Sequence, residues 1–85
     1  MKLWVDSVNG PPKGWEWARM YAVACAMLSE GLVDELSVGG DADEDGRTAN
    51  DVILLSECLV KEGIMSAPKL HRHDVWTEET REEKP

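Results

Sequence analysis

The 85-residue chain carries 17 acidic and 9 basic residues, giving a net charge of -8. Phosphate contacts need clustered Lys and Arg, so this balance argues against direct binding of nucleic acid, and it disfavours an anionic lipid surface for the same reason. The length suits one domain, at the small end of what folds without help.

Cys25 and Cys58 both lie in apolar runs, "AVACAML" and "ECLV". Two cysteines are too few for a secreted disulfide scaffold, so they read as reduced core residues of a cytoplasmic protein. Asp6 interrupts the apolar core that a signal peptide would need, and no apolar run is long enough to span a bilayer.

In chain order, "KLWVD" reads as a buried strand ending at Asp6. "SVNGPPK" is a turn cluster. "GWEWARM" alternates Trp15, Trp17 and Arg19 against Glu16, Ala18 and Met20, the pattern of a short second strand near an edge; a helix could begin there instead. From Tyr21 to Glu30 the spacing turns helical, with Tyr21, Ala24, Cys25 and Leu28 on one face and Gly31 placed to end the helix. "LVDELSVGG" alternates Val33, Glu35 and Ser37 against Leu32, Asp34, Leu36 and Val38, a strand that stops at the glycines. Thr48 or Asn50 can cap the next helix, with Asp51 in its first turn, Val52, Leu55 and Leu59 as its core stripe and Gly63 at its end. "APKLHRHDVW" is a last strand entered through Pro68, and "TEETREEKP" is a charged tail.

Strands alternating with helices at this spacing imply an α/β domain over 1–76 with a mainly parallel sheet of about four short strands and two main helices, followed by the tail at 77–85. In such sheets ligands bind at the carboxyl edge. Asp6, Asp41 and His73 should converge there.

The segments "MKLWVD", "GWEWAR", "LVDELSV", "EDGRTANDV" and "LHRH" follow one another in the order and spacing of the cyclic-phosphate processing receiver-like family, which this chain resembles up to about Val75. The resemblance implies a receiver-like fold with a phosphoester-processing site. That site comprises paired acids after the first strand, an Asp-His-Asp motif and a His-Ser on the last strand. Matched position by position, Asp6 is the first acid, but Ser7 replaces the second, and Asn9 and Gly10 replace an Arg-Pro. Gly39 and Gly40 replace the first Asp and the His of Asp-His-Asp, leaving Asp41, while His73 is kept and Asp74 replaces the serine. Asp51 keeps the acid of its segment, with Ala49 and Asn50 in place of Gly-Tyr. Phosphoester chemistry needs positive or metal-borne charge beside a placed acid and base. Asp6, Asp41 and His73 thus read as remnants of a site whose reaction is lost, with unpaired carboxylates that would repel a phosphate.

The stretch "DADEDG" places Asp41, Asp43 and Asp45 at the first, third and fifth positions of a calcium loop, yet Val52 stands where the closing Glu belongs. In "HRH", His71 and His73 share a strand face and make a weak candidate metal pair. Neither motif implies a bound metal, and no cofactor is implied. Of the four tryptophans, Trp17 and Trp76 lie beside charged residues at element ends and are candidate partner anchors. Asp41, Glu44, Asp43 and Asp45 form an acidic loop expected to be free to present to a partner. The function expected is non-catalytic binding of a protein with a basic surface. Its narrower form is a phage or mobile-element inhibitor of anti-CRISPR type, a pseudoenzyme that blocks a nucleic-acid-binding groove. The competing expectations are a residual phosphoesterase and a calcium-binding acidic-loop protein.

Overall fold

The structure, a computed structural model, describes residues 1–39 and 42–73. Six elements follow one another: β1 (Lys2–Val5), β2 (Glu16–Ala18), α1 (Tyr21–Leu28), β3 (Glu35–Val38), α2 (Ala49–Lys61) and β4 (Lys69–Arg72). All strand pairs are parallel and the order is β2-β1-β3-β4, as expected for an α/β domain of this kind. This order matches the first four positions of a doubly wound sheet.

Register explains which side chains are buried. Leu3 pairs with Leu36, and Val5 with Ala18 and Val38, so these residues share one face. They pack there with Ala24 and Leu28 of α1 and Val52 and Leu59 of α2, forming one apolar core. Each fully buried leucine contributes about 2 kcal/mol relative to exposure. Both helices therefore cover the same face. The opposite face carries Trp4, Ser37 and His71 in register, with Trp17 beside Trp4.

The helices end and begin where the residues dictate. In α2, Thr48 and Asp51 form a reciprocal capping box, and Gly63 follows with φ 79°. Among the predicted stripe, Val52 and Leu59 are buried and Leu55 is half-buried. α1 has Met20 at its N-cap with no capping side chain of its own. It ends in Gly31, whose φ of 78° lies in the left-handed region and whose N–H donates to the Leu28 carbonyl (3.0 Å). A Cβ at Gly31 would sit 2.6 Å from the backbone carbonyl oxygen of Ile64, which lies in the turn after α2.

β3 is shorter than the alternation predicts, beginning at Glu35 rather than near Leu32. Leu32 is exposed, and Asp34 and Glu35 already donate to the Met1 carbonyl, where pairing with β1 begins. β4 ends at Arg72. The predicted continuation through Asp74 to Trp76 and the tail at 77–85 lie outside the described residues. The cysteine reading needs one correction. Both thiols are free, but Cys58 is exposed rather than in the core, because it lies on the α2 face opposite Val52 and Leu59. There its Sγ donates to Glu62 Oε2 (3.4 Å), which pushes the thiol pKa up. No helix among the described residues is long and apolar enough to cross a membrane.

Candidate functional site

β1 delivers Asp6 to the carboxyl edge, and β4 delivers His73. The Asp6 side chain is fully buried. Its Oδ1 accepts the N–H groups of Val8 and Asn9, each at 2.8 Å, as the chain turns after β1. Its Oδ2 lies 2.9 Å from His73 Nε2. An ionised carboxylate only accepts, so Nε2 carries the proton, and in the neutral ring Nδ1 accepts from the Ser37 hydroxyl at 2.7 Å. Trp4 closes over the imidazole in a parallel stack, with centroids 3.8 Å apart and planes within 4°. Burial alone would raise the Asp6 pKa. The Asn9 and Val8 N–H groups and His73 outweigh it and hold the carboxyl below its ordinary value.

Asp6 and His73 thus meet as expected, but Asp6 is not the unpaired, phosphate-repelling carboxylate expected from the residue pattern. The turn amides and the imidazole engage both its oxygens, although the carboxylate keeps its charge. Asp41, the third expected member, lies outside the described residues. Ser37 was missed as a partner of His73. Its signal was the alternation that put it on the polar face of β3, yet a lone serine in "ELSV" matches no motif.

Beside Asp6, a small cavity of about 20 Å³ opens between the strand ends and the start of α2, with Ser7, Arg19, Tyr21, Asp43 and Arg47 among its lining residues. It has room for about one water. Two guanidinium groups were also missed. Arg19 lies over the Trp17 ring (5.0 Å) and Arg47 over the Tyr21 ring (4.8 Å), which fixes both near this edge. A larger groove of about 270 Å³ runs alongside, lined by Ser7, Arg19, Met20 and Glu44.

The acidic loop divides into two kinds of acid. Asp43 turns inward. Its Oδ1 accepts the N–H groups of Asp45 (2.9 Å) and Arg47 (3.0 Å), and its Oδ2 accepts the Tyr21 N–H (2.6 Å) at the start of α1. Led by the Tyr21 bond, these contacts hold its pKa below the ordinary value. The expectation that all four acids are free to present therefore fails at Asp43, whose carboxylate supplies the cap that α1 lacks. Glu44 and Asp45 are exposed. Both Asp43 oxygens are thus taken by backbone donors, two from the loop itself and one from the start of α1.

On the other sheet face, His71 Nε2 lies 2.8 Å from Glu35 Oε2, and its ring meets Trp15 edge-on at 6.3 Å. His71 and His73 share a face, but each is held by a different carboxylate, His71 by Glu35, which sits two residues before Ser37 on β3, and His73 by Asp6. Among the described residues no three His, Cys, Asp or Glu side chains are grouped to hold a metal ion. Trp17 is partly exposed, at 39%, with its Nε1–H donating to the Asp6 carbonyl (2.9 Å). Trp76 lies outside the described residues.

Comparison with known proteins finds no family model, no curated protein and no solved structure that matches this chain.

Proposed function

We propose that the protein is a non-catalytic binding module that docks on a basic surface of a protein partner through the loop between β3 and α2. The use made of Asp6 supports this reading. The acid that the family resemblance would make catalytic is buried, with both oxygens taken by Val8, Asn9 and His73. The exposed acids of the same edge, Glu44 and Asp45, stand on a loop that Asp43 anchors. Partly exposed Trp17, with Arg19 over its ring, adds residue types enriched at interface hot spots. In its narrower form the partner is a nucleic-acid-binding protein, and the module is a phage or mobile-element inhibitor of anti-CRISPR type working in the cytoplasm.

The test is capture of a host partner, followed by titration at increasing salt. Affinity should fall steeply with ionic strength. The pair Glu44→Gln and Asp45→Asn should weaken binding about tenfold or more while leaving the unfolding midpoint unchanged. Asp43 is left intact because its loss would disturb α1. Neutralising Glu78, Glu79, Glu82 and Glu83 is the matched control for nonspecific charge. Equal binding by the loop variant moves the interface to the surfaces of Trp17 and Trp76.

One observation favours a second reading, that of a residual phosphoesterase. Arg19 and Arg47 line the same cavity as Asp6, which restores positive charge beside the Asp6–His73–Ser37 chain. Hydrolysis of a 2′,3′-cyclic nucleotide that is lost in His73→Ala and in Arg47→Ala would establish it. No turnover, with or without divalent metal, leaves the binding module.

A further inference from the structure

β4 lies at the end of the sheet, and among the described residues no strand pairs with its outer edge. The doubly wound order continues past this position to a fifth strand. The Lys69 N–H turns inward to the Asp34 carbonyl (3.0 Å). Parallel pairing alternates, so the backbone amides of Leu70 and Arg72 turn outward. Alongside, between α2 and this edge, runs a largely apolar groove of about 300 Å³ lined by Ile53, Val60, Ala67, Pro68 and Leu70, with Glu57 and Lys61 as its charged residues. Leu70 is 44% exposed over it.

From these features we infer that the outer edge of β4 takes an extended, acidic segment of a partner protein as a fifth strand. Backbone hydrogen bonds would supply the pairing. On an added strand alternate side chains point to the helix-bearing side, so one apolar residue would enter the groove. The charge selects the partner. Along this edge of an otherwise acidic chain three exposed cations, Lys61, Lys69 and Arg72, outnumber the one exposed acid of the groove, Glu57. A second copy presenting its own β4 would set Lys69 and Arg72 against their like, which discourages self-pairing. A segment with Glu or Asp flanking an apolar centre meets the same charges favourably. This surface is separate from the carboxyl-edge loop and does not rest on the function proposed for it.

The probe is a blocked peptide, Glu-Glu-Val-Leu-Val-Glu-Glu, titrated into the full chain and followed by backbone amide shifts. The expected result is saturable movement of the Leu70 and Arg72 amides. Affinity should fall about tenfold with Lys69→Glu plus Arg72→Glu, and again when alternate peptide amides are methylated. A peptide with Lys in place of Glu should leave these two amides unmoved, although the net charge of -8 favours it overall. The inference is overturned if the acidic peptide does not move the β4 amides, or if the double variant binds as well as the parent. It is equally overturned if the Leu70 and Arg72 amides are protected from exchange in the peptide-free chain, since the edge would then already be occupied.

Discussion

A carboxylate taken out of water costs several kcal/mol unless its lone pairs are met, and Asp6 shows how this chain meets them. Two turn amides and one imidazole serve its two oxygens. Asp6→Ala would take the acceptor from these part-buried donors and should cost about 2 kcal/mol, read from urea midpoints. Asp6→Asn should cost less. Its amide oxygen still accepts from the turn, while its NH₂ can donate to Nε2 if the ring proton moves to Nδ1 and is donated to Ser37. The pH dependence separates the variants further. The folded pKa of Asp6 is lowered, so its contribution is fully present above the unfolded value, near ~4, and is lost as pH falls through the folded value. Asp43 adds a contribution of the same sign. Acid destabilisation should therefore become shallower in Asp6→Asn without vanishing. An unchanged slope would show that Asp6 is not the linked group.

The two helices are secured by different means, and the difference explains what could be read in advance. α2 carries its cap within its own sequence, since Thr48 and Asp51 are three residues apart and bond reciprocally. α1 has Met20 at its N-cap, whose side chain offers no acceptor, and no acid in its first turn. Its acceptor comes from Asp43, 22 residues away, whose carboxylate meets the Tyr21 N–H where the helix dipole favours negative charge. Local pattern cannot show a cap supplied from another loop. For that reason Asp43 resembled its neighbours Glu44 and Asp45, as one more acid in a run. Asp43→Ala should cost about 1 kcal/mol, as helix caps do, and should speed amide exchange in the first turn of α1. Glu44→Gln and Asp45→Asn should do neither. If all three behave alike, the Asp43 contact does not cap the helix in solution.

For the whole molecule, strand and helix spacing revealed the architecture because apolar periodicity is a local property. The short sheet, the edge position of β2 and the helical faces of Ala24, Leu28, Val52 and Leu59 all follow from it. The site was only partly legible. Asp6 and His73 were marked by their places at strand ends, whereas Ser37, Arg19 and Arg47 reach the carboxyl edge through register and ring stacking that no short segment encodes. That both helices share one sheet face, leaving Trp4, Trp15 and His71 on the other, is likewise a property of the assembled sheet.

At the opposite edge, Gly31 and Ile64 bring the turns after the two helices together through bare backbone. Gly31→Ala places a Cβ against the Ile64 carbonyl in a left-handed conformation, and should cost more than about 2 kcal/mol. Gly63→Ala has the same sign of φ but open space around it, and should cost only about 1 kcal/mol. Equal midpoints for the two variants would mean that the close approach does not persist in solution. The contact also decides where the chain has room to grow. At Gly14, in the turn between β1 and β2, nothing lies within 4 Å of a Cβ, so a spliced Gly-Ser pair there should leave the fold intact. After Gly31 the same splice has to force apart turns that already touch. Any lineage that lengthens this domain, or any engineer who grafts a loop onto it, should find the first turn permissive and the second closed.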